Sequence, residues 1–107
     1  MVEIMDKLAK YLYVVSMDVD PEKEKQFNEW YNKEHVPALL KVPGVIAAYR
    51  YTASGGTPKY IAIYELDKPA VQTSEAWKKA VEMTPRPRDI TTKNATHNLY
   101  ECIYPQK

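Results

Sequence analysis

Alternation governs the first strongly apolar run of the chain. Tyr11 to Val19 reads YLYVVSMDV. This β-branched and aromatic stretch is apolar on both alternating faces through Val15, which predicts a strand covered on both sides. The period then changes. Asp20 can cap a helix, Pro21 suits its first turn, and Glu22 and Glu24 complement the positive end of its dipole. From there Phe27, Trp30, Tyr31, Glu34 and Ala38 recur at steps of three and four, opposite Lys23, Lys25, Asn28 and Asn32, and predict an amphipathic first helix. Pro37 disfavours the α conformation at Val36, so the regular helix is expected to end or kink just after His35, with Leu39 and Leu40 continuing as a short turn.

After Pro43-Gly44, the runs Val45 to Thr52 and Lys59 to Leu66 read as strands joined by the hairpin connection Ser54-Gly55-Gly56-Thr57-Pro58. Asp67-Lys68-Pro69 can open a helical turn. Ser74 can cap a short second helix whose inward stripe is Trp77, Ala80 and Val81. Thr84 to Asn94 carries Pro85 and Pro87 and reads as a loop, followed by a final strand from Thr96 to Tyr104. The order is βαββαβ, the ferredoxin-like split motif: an α+β fold with a four-stranded antiparallel sheet and two helices on one face. The other face is apolar as well, because Tyr11, Tyr13, Val15 and Met17 alternate with Leu12 and Val14. It needs a second layer, and another copy of the chain is the simplest cover.

At 107 residues the chain has the size of one domain, expected over 1–107 with its core from about 11 to 105. With 45% apolar residues and 27% charged ones, the composition is globular. The nine tyrosines against one phenylalanine stand out. An apolar ring with a polar tip suits walls that are half buried and half wet, in a pocket or at an interface. Net charge is +1 with mixed signs, so no basic field exists to hold nucleic acid or an anionic membrane. Arg86, Arg88 and Lys93, diluted by Asp89, read as a solvated loop. Cys102 is the one cysteine, which rules out an intramolecular disulfide or a cysteine-only metal site and points to a reducing compartment. Met1 to Lys10 carries Glu3, Asp6, Lys7 and Lys10 and has no leader or membrane-span pattern, so a cytoplasmic location is the expectation.

Trp30-Tyr31-Asn32-Lys33-Glu34-His35-Val36-Pro37, followed by Val42-Pro43-Gly44-Val45, resembles the W-x(4)-H-x-P…PG signature of EthD-like proteins in the dimeric α/β-barrel superfamily. The element order, the Thr73-Ser74-Glu75-Ala76-Trp77 helix start and the Tyr104-Pro105 end extend the likeness along the chain. The resemblance implies a homodimer whose sheets pack face to face into a dimeric α/β barrel, with a pocket in each subunit between sheet and helices. It does not imply one reaction. Relatives include monooxygenases without metal or flavin, muconolactone-type isomerases, polyketide cyclases, hydroxynitrile lyases, haem-degrading enzymes and members without known activity.

His35 is the first catalytic candidate, since imidazole exchanges protons near neutral pH and the end of an aromatic-lined helix would place it at a pocket rim. A histidine ahead of a helix-ending proline can equally hydrogen-bond the last carbonyls. Tyr31, four residues earlier, can join it in binding or protonating a substrate oxygen. Trp30 either packs on the sheet or touches ligand. Glu34 lies in the apolar stripe with Arg50 as its obvious partner, a pair that could orient His35 and in which the carboxyl pKa would fall. Tyr49 and Tyr51 share one face of their strand, Tyr60 and Tyr64 one face of theirs. Those toward the helices line the pocket, Tyr60 and Tyr64 being the candidates. His97 and His35 without further ligands make no metal site, and no nucleotide-binding or nucleophile-elbow motif occurs, so neither metal nor cofactor is expected.

The expected function is therefore cofactor-independent proton transfer of lyase, isomerase or cyclase type on a small hydrophobic or aromatic ligand. His35 and Tyr31 would be catalytic, with Trp30, Glu34, Arg50, Tyr60 and Tyr64 binding substrate. The alternatives are a cofactor-free monooxygenase and a non-catalytic dimeric binding or accessory protein.

Overall fold

The computed structural model describes residues 9–105; the reading of the stretch before Ala9 lies outside them. Four strands and two helical regions follow in the expected order. Strand β1 (Tyr11–Val19) leads through a 3-10 turn at Pro21–Lys23 into α1 (Glu24–Trp30), a π-helical turn (Tyr31–His35) and α2 (Val36–Leu40). Strands β2 (Val45–Thr52) and β3 (Tyr60–Leu66) form the hairpin. A 3-10 segment (Pro69–Thr73) then leads into α3 (Glu75–Met83), and β4 (Thr92–Glu101) closes the sheet. The antiparallel sheet has the order β2-β3-β1-β4, which is the ferredoxin-like arrangement. Among the described residues no helix is long and apolar enough to cross a membrane.

Register settles which tyrosine faces which way. Tyr13 pairs with Tyr64, and Met17 with Tyr60, and these positions of β1 and β3 face the helices together with Val15, Ala62 and Leu66, all buried except the half-buried Tyr13. Arg50 opposite Ala62 shares that face, whereas Tyr49 opposite Ile63 and Tyr51 opposite Ile61 lie on the other. No helix covers this second face, which carries Leu12, Val14, Ile61 and Ile63 at half burial and leaves Tyr51 59% exposed.

The first helix does not stop before Pro37. Val36 is helical (φ −61°, ψ −46°), and its amide reaches back five residues to the Tyr31 carbonyl. The wide turn restarts the helix, so Pro37 falls in the first turn of α2, where a missing amide hydrogen costs nothing. It also inserts one residue into the helical phase. A regular helix advances about 100° per residue and would centre Phe27, Trp30, Glu34 and Ala38 on the sheet. The π turn replaces Glu34 and Ala38 by His35 and Leu39. Leu39 is buried and Glu34 is exposed.

Two boundaries also move. Asp20 makes no side-chain cap and instead pairs with Lys93 at 3.3 Å. Strand β4 starts at Thr92 rather than Thr96 and stops at Glu101, because the register shifts between Ser16 and Asp18 where Asn94 takes a left-handed φ of 54°. The Asn94 side-chain amide donates to Asp18 there at 2.7 Å. Ser74 caps α3 as expected, its hydroxyl accepting from the Trp77 amide at 3.2 Å.

Gly44 has φ +96°, and a Cβ there would lie 2.4 Å from Val71 Cγ2 and 2.8 Å from Asp67 Oδ1. Its carbonyl accepts from the Asp67 amide at 2.9 Å. This close approach seats the 3-10 segment against the start of β2. Gly44→Ala is therefore expected to lower stability by about 1–3 kcal/mol from the backbone conformation alone, with the clash added, as read by urea unfolding.

Candidate functional site

A cavity of about 710 Å³ lies between the sheet and the helices. Its floor is Tyr13, Val15 and Met17 of β1, Tyr64 of β3 and His97 of β4. Trp30, Tyr31, His35 and Leu39 form one wall, and Trp77, Val81 and Glu82 of α3 the other. Gln72, Thr73, Lys78, Thr84, Pro85 and Arg86 complete the lining. Ring packing holds it open. Trp77 stands edge-on to both Tyr13 and Tyr64 at 5.4 Å, so the helix is propped on two rings rather than laid flat on the sheet. The loop after α3 is tied down by buried Ile90 and by Lys23 paired to Asp89 at 2.8 Å.

The phase shift described above carries His35 into this cavity. Its Nδ1 lies 2.9 Å from Thr84 Oγ1, and the Thr84 hydroxyl donates to the Ala80 carbonyl at 2.8 Å. A hydroxyl has one hydrogen. With that hydrogen committed to Ala80, Thr84 can only accept, so His35 carries its proton on Nδ1 and Nε2 is left as a bare acceptor. The imidazole stacks on the Trp30 indole at a centroid distance of 4.8 Å and meets the edge of Tyr31 at 5.1 Å. Burial with no charged partner pushes its pKa down to about 4, so it is neutral at pH 7.

The phenols here are held protonated. Burial pushes Tyr31 up, opposed first by the adjoining Tyr64 hydroxyl and then by the Arg50 guanidinium, and burial does the same to Tyr64 and Tyr13. The Tyr31 and Tyr64 hydroxyls lie side by side, an approach that lowers the first and raises the second.

Of the residues expected to form the site, His35, Tyr31, Trp30 and Tyr64 converge on the cavity, and Glu34, Arg50 and Tyr60 stand outside it. The expected Glu34–Arg50 pair does not form. Glu34 points outward because of the inserted residue. Arg50 instead donates to Asn32 at 2.8 Å and Asn28 at 2.9 Å and lies over the Tyr31 ring at 4.2 Å. Arg50 thus backs Tyr31 from behind and lines a separate hollow of about 460 Å³ with Asn28, Asn32 and Tyr60. Tyr60 donates to Glu24, pinning the start of α1 to β3. Thr84, Trp77, Tyr13, Gln72, Arg86 and His97 complete the cavity without having been singled out for it. Trp77 was legible as an inward residue, but nothing in the sequence said which face of β1 meets the helices, and nothing marked Thr84. Among the described residues no group of three histidine, cysteine or acidic side chains could hold a metal.

Solved structures with the same fold span almost the whole chain. The haem degrader MhuD of Mycobacterium tuberculosis, solved with two haems in its active site, superposes with a TM-score of 0.69 at 12% identity, covering 91% of this chain and 99% of its own. A putative antibiotic biosynthesis monooxygenase from Nitrosomonas europaea gives 0.65 at 13% identity, covering 94% and 97%. An ethyl tert-butyl ether degradation (EthD) family protein from Bacillus halodurans gives 0.59 at 14%, covering 87% and 99%. The EthD-like resemblance is thus consistent with a fold the two proteins share. No curated protein matches the sequence. The family is shown over residues 10–83, from the start of β1 to the end of α3, and the chain belongs to the family described as a domain of unknown function, DUF4286.

Proposed function

We propose that the protein is a small-molecule enzyme whose cavity takes a largely apolar, oxygenated ligand and whose His35 accepts a proton from it, without a cofactor. The observation that carries this is the Thr84 contact: it fixes one tautomer and leaves Nε2 as an unprotonated base in the cavity. Tyr31, edge-on to the imidazole and kept protonated, is the matching acid or hydrogen-bond donor. Trp30 and Tyr64 contact the ligand. Glu34, Arg50 and Tyr60 support the helix from outside. The cavity has the size and mostly apolar lining of small-molecule sites.

A second reading is a non-catalytic binding protein. It is favoured by the absence of a carboxylate hydrogen-bonded to His35 among the described residues, since an imidazolium formed there would need the ligand's own anion as its partner. The monooxygenase reading has its support in the structural neighbours. In all three readings the chain works as a homodimer through the open sheet face, where Leu12, Val14, Ile61 and Ile63 lie among exposed tyrosines.

Exchange of the α-hydrogens of 2-tetralone with heavy water, followed by proton NMR, separates enzyme from binder. Wild type is expected to accelerate exchange and His35→Gln to lose about 10²–10⁴ of that acceleration. No acceleration by wild type leaves the binding reading.

The pH dependence follows from the same residue. Exchange should be flat above about pH 5 and fall as pH drops through about 4. The unfolded chain protonates this histidine near the ordinary 6.5, the folded one only near 4. The unfolded state therefore binds more protons between those values, and folding weakens as pH falls across the window. The stability advantage of wild type over His35→Gln in urea should shrink from pH 7 to pH 4.5.

Sedimentation at micromolar concentration should give a dimer, and Ile63→Asp, which buries charge in the open face, a folded monomer. A monodisperse wild-type monomer would remove the dimer.

A further inference from the structure

Arg50 brings the one charge to the separate hollow of about 460 Å³; every other described residue that lines it is uncharged. No carboxylate among the described residues comes within ion-pair distance of its guanidinium. Glu24, which holds the hydroxyl of Tyr60 in the same hollow, is itself paired with Lys59 at 2.7 Å. The partners of Arg50 are the side-chain carbonyls of Asn32 at 2.8 Å and Asn28 at 2.9 Å. An aspartate at either position would have nearly the same shape and would cancel the charge. The chain carries an amide at both.

The guanidinium is also partly withdrawn from water. Arg50 is half-buried, and its guanidinium carbon lies 4.2 Å from the centre of the Tyr31 ring, 5.4 Å from that of Phe27 and 5.6 Å from that of Tyr60. Three rings and two amides hold it in place, and burial draws its pKa below the ordinary arginine value. A fixed cation that has lost part of its hydration and has no counter-ion gains most from an anion.

A guanidinium has five N–H donors, and the two asparagines take two of them. The three that are left can meet two oxygens of one carboxylate or phosphate, the geometry for which arginine is suited. Asn32 and Thr52 stand exposed at the same hollow and add an amide NH₂ and a hydroxyl. Val36, Ala48 and the Tyr51 ring offer apolar contact to the rest of such a molecule, in a volume within the range of small-molecule sites.

We propose that this hollow is a second ligand site, which takes a small organic oxyanion, a carboxylate or a phosphate monoester, with Arg50 as its charged anchor. A neutral guest would leave the guanidinium uncancelled, and a cation would be repelled. The hollow and the His35 cavity share no lining residue among those described, so the two load separately. Tyr31 stands between them, because it lines the cavity and Arg50 sits on its ring.

Titration of wild type with phenyl phosphate, benzoate and the neutral benzamide, read by the NMR signals of the Arg50 Nε–H and the Asn32 side-chain NH₂, tests this. One or both anions should move the two signals and bind about tenfold or more tightly than benzamide, as a charge-assisted hydrogen bond would give. The tighter anion identifies the ligand as a phosphate monoester or a carboxylate. Arg50→Gln should weaken that anion about tenfold or more and leave benzamide within about twofold. Asn32→Asp, close to wild type in shape, sets a carboxylate on the guanidinium and should expel the anion to the same extent. His35→Gln should bind it as wild type does. Anions that bind no better than benzamide, or that bind Asn32→Asp as well as wild type, overturn the site, since an arginine satisfied by water alone would behave so. Loss of binding in His35→Gln would put the anion in the cavity and overturn the site as well. His35-dependent exchange on 2-tetralone stands or falls separately from all of these.

Discussion

Pro37 has no amide hydrogen, and the site depends on how the first helix accommodates that. Rather than ending, the helix widens by one residue over Tyr31–His35 and restarts with the proline in a first turn. The added residue rotates everything after it. His35 moves from the flank of the helix to the sheet side and Glu34 moves out to solvent, while Leu39 takes the core position that a regular helix would have given Ala38. A local backbone requirement thus decides which ionisable group faces the cavity. A regular helix would have buried a carboxylate among aromatic rings, at a cost that only a close cation could offset.

The cavity itself follows from aromatic side chains that prop elements apart. Edge-on contacts of Trp77 with Tyr13 and Tyr64 keep α3 off the sheet. Behind the opposite wall the Arg50 guanidinium, anchored on Asn28 and Asn32, stacks on Tyr31 and fixes the ring that borders His35. The tyrosine excess of the composition divides along the sheet: Tyr13, Tyr60 and Tyr64 go beneath the helices, Tyr49 and Tyr51 onto the open face. The same residue type therefore supplies both the wet chamber and the apolar surface on the other side.

Much of this was legible in the residues. Strands β1 and β2 follow their β-branched and aromatic runs residue for residue, and Ser74 caps α3 where its side chain can reach the Trp77 amide. The helix-one region was legible as the place of the site, because Trp30, Tyr31 and His35 lie together on it. The phase of that helix was not, since a single inserted residue leaves no trace in periodicity counted over so few turns, and the Glu34–Arg50 pairing went with it. The start of β4 was hidden by a bulge that needs Asn94 in a left-handed conformation and Asp18 as its partner, a contact between residues far apart in the chain. Thr84 was invisible for a related reason: its role comes from where α3 ends in space relative to α2.

That last contact joins two helices through one proton. The Ala80 carbonyl takes the Thr84 hydrogen, Thr84 then takes the hydrogen of His35 Nδ1, and the far nitrogen is left as an acceptor. The hydrogen-bonding sense of the cavity is therefore written in the final turn of α3, through the Ala80 carbonyl. Unwinding that turn would free the hydroxyl to donate to Nδ1 and would move the ring proton to Nε2. The same histidine, unmoved, would then present a hydrogen where it had presented a lone pair, and the chamber would select for the opposite kind of guest.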